Sequence, residues 1–220
     1  MRIAVYSGSF NPLHIGHQAI MEYLTRESEF DWVYLVVSPQ NPFKAAENNL
    51  TARDRYDAAV EAVLRHPDIY DITIVLDNKN PDIELGMEPP HYTIKTLDAL
   101  KRREPDNDFT LVIGADNLES IHKWRDFPRL LSEYGVVVYP RKGTDLDAIM
   151  RQLHEECLKC PAPYVLDPSG TTPEGGMISL ESDFDSLYHI SILDRPTIDI
   201  SSTQIREAIS RGEDVSRYLM

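Results

Sequence analysis

Two histidines stand at the end of a run of small residues near the start of the chain, in Gly8-Ser9-Phe10-Asn11-Pro12-Leu13-His14-Ile15-Gly16-His17. Three positions apart on the first turn of a helix, both imidazoles share one face. A helix N-terminus presents unpaired N–H groups and the positive end of the dipole, so imidazoles placed there add directed donors to a site already disposed to bind phosphate. Zinc is a poorer reading, because two histidines give too few ligands and the nearby carboxylates are not spaced as a third. The turn has neither the G-x-x-x-x-G-K-[ST] pattern of a P-loop nor the G-x-G-x-x-G of a dinucleotide site.

These residues need a scaffold that holds them at the end of a strand. Ile3 to Tyr6 is a short β-prone run, and the chain turns helical from Gly16, with Ile20, Met21 and Leu24 forming an apolar stripe. Trp32 to Val37 is nearly continuous in apolar character, as a parallel strand covered on both faces would be. A helix capped by Thr51 ahead of Asp54 runs towards Pro67, a strand over Ile69 to Leu76 follows, and Tyr92 to Arg103 with Phe109 to Ile113 makes another helix and strand. Gly135 to Tyr139 is a further strand, and Asp145 to about Lys159 a further helix. Ser201 or Ser202 caps the last helix, with Gln204 placed to return the bond and Gly212 after its end. Alternating strands and helices predict an α/β fold: a doubly wound, Rossmann-like parallel sheet with helices on both faces and a small C-terminal helical part. The expected organisation is a single domain over 1–220, with an insertion at about 142–190 and a phosphate-binding helix at about 201–211.

Composition narrows the classes. The 220 residues include 22 Lys and Arg against 36 Asp and Glu, a formal charge of −14, which argues against nucleic acid or an anionic membrane as partner. No apolar run approaches the ~20 residues of a membrane-spanning helix. Two cysteines give no disulfide framework, and a reducing cytoplasm is the expected compartment. Cys157 and Cys160 form C-x-x-C with His154 one turn earlier, but no second pair accompanies them, and packing of small thiols is the default reading. Arg55, Arg129 and Arg141 read equally well as solvated surface charges.

The turn at His14 to His17 resembles the (S/T)-x-x-x-x-H-x-G-H signature of the nucleotidyltransferase superfamily. Ser38-Pro39-Gln40-Asn41-Pro42-Phe43-Lys44, His91-Tyr92-Thr93-Ile94-Lys95-Thr96-Leu97, Ile113-Gly114-Ala115-Asp116-Asn117-Leu118 with Trp124, and Ile200-Ser201-Ser202-Thr203-Gln204-Ile205-Arg206 narrow the resemblance to the bacterial nicotinate-nucleotide adenylyltransferases. That resemblance implies a reaction of ATP with nicotinate mononucleotide, giving the deamido dinucleotide and pyrophosphate. It implies catalytic roles for His14, His17, Lys44 and Arg206. ATP would be bound by Gly8, Ser9, Phe10, His14, Gly16, His17, Asp116, Ser201, Ser202, Thr203 and Arg206. The mononucleotide would lie against Asn11, Lys44, Tyr92, Thr93 and Trp124. Magnesium would be held mainly by the ATP phosphates, with no dedicated protein ligands. On residue type alone, Ser202 and Thr203 are equally helix caps, Asp116 a cap, and Trp124 a core residue.

Two departures from the family stand out. Ser7-Gly8-Ser9 replaces the usual Gly-Gly-Thr and keeps a small residue and a hydroxyl, while Phe127 is the nearest residue to a second tryptophan. Phosphopantetheine adenylyltransferases share the histidine turn but are shorter and lack the Tyr-Thr-Ile segment. Class I aminoacyl-tRNA synthetases share part of the signature but carry a basic loop absent here. A nucleotide-sensing module without catalysis is disfavoured by the intact histidine pair, and homo-oligomer formation is left open.

Overall fold

The computed structural model describes residues 1–38, 50–76, 90–159, 187–193 and 198–220. Its strands are β1 (Arg2–Gly8), β2 (Trp32–Val37), β3 (Ile72–Leu76), β4 (Asp108–Gly114), β5 (Val136–Tyr139) and β6 (Ile190–Ile192). They form one sheet in the order β3-β2-β1-β4-β5-β6, with every pairing parallel. The helices used below are α1 (Ile15–Arg26), α2 (Ala52–Leu64), α3 (Thr93–Arg103), α4 (Ala115–Ser120), α5 (Leu146–Leu158) and α6 (Ser202–Ser210).

Alternation along each strand divides the core in two. Ile3 and Val5 of β1 join Leu97, Leu100, Leu118, Ile149 and Leu153 on one face. Ala4 and Tyr6 join Met21, Leu24, Ala59 and Ala62 on the other. α1 and α2 therefore cover one side and α3, α4 and α5 the other, which is why β2 is apolar at every position. Each buried Leu or Ile contributes roughly 1.5–3 kcal/mol relative to exposure, so the two clusters dominate the stabilisation.

The chain moves outward from β1 to β2 and β3, then crosses back to β4 on β1's other side. Where the order reverses, the loops leaving β1 and β4 part and open a crevice beyond the strands' carboxyl ends. Both strands end there in glycine, Gly8 and Gly114.

The local signals for helix starts are realised. Thr51 and Ser201 each cap a helix, and their own N–H groups donate the return bond to the Asp54 carboxylate and the Gln204 side-chain oxygen respectively. Gly212 follows α6 at φ 74°, in the left-handed region. Two boundaries differ from the sequence reading. β3 begins at Ile72 rather than Ile69, because Asp71 takes φ 55° and the Ile69 N–H closes a turn onto the His66 carbonyl. β6 has no counterpart in that reading; its three residues are too few to show a period, and two of them are exposed. Within 142–190, α5 packs Ile149, Leu153 and Cys157 into the first core. Residues 160–186, Cys160 among them, lie outside the described residues.

Candidate active site

His14 is the N-cap of α1, and its Nδ1 accepts the Gly16 N–H at 3.2 Å. His17 reciprocates, its Nδ1 accepting the His14 N–H at 3.2 Å, so the two imidazoles complete a capping box. Their rings stack with centroids 3.6 Å apart. With each Nδ1 acting as acceptor, the neutral rings carry their protons on Nε2. Gly16 makes this possible: a Cβ there would meet the His14 ring at 3.1 Å and Ile200 at 3.2 Å.

Both rings are held neutral. Burial, followed by the Arg141 cation, lowers the His14 pKa to about 4. Burial, His14 and Arg141 push His17 well below the ordinary imidazole value. The pair thus offers uncharged N–H donors through the whole physiological range. Phe10 supports them from the loop; it is buried, sits at φ 45°, and sets its ring edge-on to His17 at 5.3 Å and to Tyr6 at 5.3 Å. A Cβ at Gly8 would meet the Phe10 ring at 3.0 Å.

Two distant elements fasten this loop. Ser202 of α6 donates to the Pro12 carbonyl at 3.1 Å, and Arg206 donates to the Asn11 carbonyl at 2.9 Å and to the Thr203 hydroxyl at 3.0 Å. Arg55 of α2, only 6% exposed, bridges the Ser9 carbonyl at 2.6 Å and the Ser38 carbonyl at 2.9 Å, joining the ends of β1 and β2. The reading of Arg55 as a solvated charge is therefore wrong. Arg129 is likewise engaged, bonding Asp98, which also accepts from the Tyr134 hydroxyl at 2.7 Å. Leu219 pairs with His14 in an antiparallel bridge, so the last residues of the chain also brace the histidine turn.

His14, Gly16 and His17 line an open pocket together with Tyr6, Tyr139, Arg141, Lys142, Asp199 and Ile200. Asp116, in the first turn of α4, ion-pairs with Arg141 at 3.1 Å at this edge. Tyr92, Thr93 and Trp124 lie apart from the pocket lining: Thr93 opens α3, and Tyr92 and Trp124 pack against the first core cluster. Lys95 and Arg125 each place a cation 5.5 Å from the Tyr92 ring. Lys44 lies outside the described residues. Sequence reasoning missed Tyr6 and Tyr139 and left Arg141 undecided. The signal for Arg141 was its place two residues beyond the carboxyl end of β5.

Among the described residues no group of three or more His, Cys, Asp or Glu side chains gathers as a metal cage, and no helix is long and apolar enough to cross a membrane. The pocket's polar lining is mainly donors, which suits phosphate oxygens.

A histidine pair caps the first helix at the switch point of a doubly wound parallel sheet, where the nucleotidyltransferase-like signature in the sequence led one to expect it. The chain matches the cytidylyltransferase-like family model over residues 5–208. It is 33% identical to a probable nicotinate-nucleotide adenylyltransferase of Porphyromonas gingivalis, covering 100% of this chain and 89% of that protein. It is 30% identical to one of Flavobacterium psychrophilum, covering 100% and 92%. Its fold matches a Plasmodium falciparum nicotinic acid mononucleotide adenylyltransferase complexed with NaAD, with a TM-score of 0.68 at 15% identity over 99% of this chain and 90% of that one. The chain belongs to the cytidylyltransferase-like family, in its nicotinate-nucleotide adenylyltransferase branch.

Proposed function

We infer that the protein transfers the adenylyl group of ATP to nicotinate mononucleotide, forming deamido-NAD and pyrophosphate. The observation that carries this is the stacked, neutral His14–His17 pair at the α1 N-terminus, in a chain similar over its full length to enzymes named for that reaction. A phosphate oxygen of the mononucleotide attacks the α-phosphorus in line; the bond from that phosphorus to the bridging oxygen breaks, and pyrophosphate departs with the electron pair. No protein nucleophile is needed, so catalysis rests on positioning and on donors aimed at the phosphoryl oxygens.

His17 and His14 supply such donors through Nε2–H, and the α1 N-terminus adds its dipole. Ser9 and Phe10 shape the loop over the phosphates, while Ser202, Thr203 and Arg206 fix it from α6. Lys44 adds a point charge. Asp116 borders the nucleotide, and Tyr92, Thr93 and Trp124 receive the pyridine. Magnesium would be held mainly by the ATP phosphates, where it would offset their charge, with no dedicated protein ligands. We read the chain as one nucleotidyltransferase domain acting in the cytoplasm.

Pyrophosphate release from ATP with nicotinate mononucleotide, its amide or 4′-phosphopantetheine tests the assignment. Turnover with the first is expected, and preference for the last would overturn it.

A further inference from the structure

Arg141 meets the two histidines across the pocket, and its surroundings fix it there. Its Nε pairs with Asp116 Oδ1 at 3.1 Å as an ion pair without hydrogen-bond geometry, and its guanidinium lies 5.6 Å from the centroid of the Tyr139 ring. Asp116 is itself held close to the backbone: a Cβ at Gly114 would fall 2.3 Å from Asp116 Oδ1 and 3.0 Å from the Tyr139 ring, so only glycine leaves room for this arrangement. Beneath it Tyr6 is 2% exposed, and its hydroxyl makes no hydrogen bond of good geometry among the described residues.

A polyanionic triphosphate entering a chain of net charge −14 requires local positive charge. The histidines are neutral and bring none. Lys142 is highly exposed and stands 4.0 Å from Asp199, and two Arg206 nitrogens are bonded to Asn11 and Thr203. Among the described residues, Arg141 is the cation whose field reaches both imidazoles. Its planar fork suits bidentate contact with phosphate.

We propose that Arg141 binds the triphosphate beside His14 and His17 as a catalytic residue, and that Asp116 acts as a positioning residue for its guanidinium. The proposal rests on the adenylyl-transfer reading, and its test separates the two. ATP affinity is measured by calorimetry, and turnover by pyrophosphate release, for Arg141→Met, Arg141→Lys, Asp116→Asn and the Arg141→Met/Asp116→Asn double variant. Arg141→Met should weaken ATP binding at least tenfold and lower kcat at least thirtyfold, leaving the KM for nicotinate mononucleotide within threefold. Arg141→Lys should recover ATP affinity but little of kcat, since a point charge replaces a fork. Asp116→Asn should cost five- to tenfold in kcat/KM for ATP in the parent and under twofold in Arg141→Met, because one residue acts through the other.

The pH profile gives a readout that a merely structural role would not move. Among the described residues, the charged or titratable groups around the histidines are Tyr6, Tyr139, Arg141, Lys142, Asp116 and Asp199. Removing the Arg141 cation should shift the acid limb of kcat/KM to higher pH. An Arg141→Met protein with ATP affinity and kcat within threefold of the parent overturns the proposal, and multiplicative losses in the double variant overturn the role of Asp116. A parent that binds ATP but forms no pyrophosphate with nicotinate mononucleotide sinks the substrate reading instead, while the calorimetric ratio still decides Arg141.

Discussion

Truncating His17 to alanine removes one directed N–H donor and leaves no charge stranded. A donor aimed at developing phosphoryl charge is worth about 3 kcal/mol, or some hundredfold in rate. His17→Ala should therefore lower kcat about a hundredfold while ATP affinity changes far less; a loss under threefold in steady-state pyrophosphate assays would refute its role at the transition state. His14 carries a second prediction, about stability. Its pKa in the folded protein is about 4 against 6.5 in an unfolded chain, so on acidification the unfolded chain binds the proton first. The fold keeps its full contribution from this group above pH 6.5 and loses it progressively as the pH falls towards 4. Between pH 7.5 and 5 this amounts to about 2 kcal/mol. His14→Asn preserves an N-cap but lacks the titration, so the parent's advantage over the variant should shrink by that amount in urea unfolding at the two pH values. Parallel stability profiles would show that the imidazole is not held neutral.

The elements behind the site meet at the loop between β1 and α1, which buries Phe10 and Leu13 in the core and is fastened from outside at its backbone carbonyls. α2 contributes Arg55, α6 contributes Ser202 and Arg206, and Leu219 pairs with His14. Arg55→Leu keeps the bulk but leaves the Ser9 and Ser38 carbonyls without their donor. An unsatisfied, partly buried carbonyl costs about 1–3 kcal/mol, which in a domain of this size lowers the melting midpoint by several degrees. The same variant should raise the KM for ATP, because Ser9 borders the phosphate turn. Thermal melts and ATP titration check both effects, and an unchanged midpoint would mean that water replaces the guanidinium without cost.

At the scale of the whole molecule, an acidic protein must accept two anionic substrates, and it does so by local arrangement. Around the proposed pyridine site, Lys95 and Arg125 each stand 5.5 Å from the Tyr92 ring in a chain of charge −14. Cations and backbone donors placed for a carboxylate are left partly unpaired by an amide, whose NH₂ faces them. One unpaired donor costs about 1–3 kcal/mol, a ratio of roughly ten to a hundred. Nicotinate mononucleotide should accordingly be preferred over its amide by at least tenfold in kcat/KM. Trp124→Ala is the internal control, expected to lose mononucleotide affinity with little change for ATP. Equal rates with acid and amide would mark a dual-specificity enzyme.

The sequence by itself determined what is local. Periodicity marked five of the strands, capping boxes marked the starts of α2 and α6, and the small-residue turn marked the start of α1 with its two histidines. Each of these is a property of neighbours within about four residues, where side-chain spacing fixes the outcome. Tertiary structure decided the rest. Arg55, Arg129 and Arg141 are indistinguishable from surface charges in sequence, because what makes them structural or reactive is a partner 46, 31 or 25 positions away. β6 is too short to carry a pattern and exists only because β5 offers an edge. The depressed pKa values of the histidines likewise come from burial and a cation brought in from the far side of the switch point, a proximity that only the parallel sheet creates.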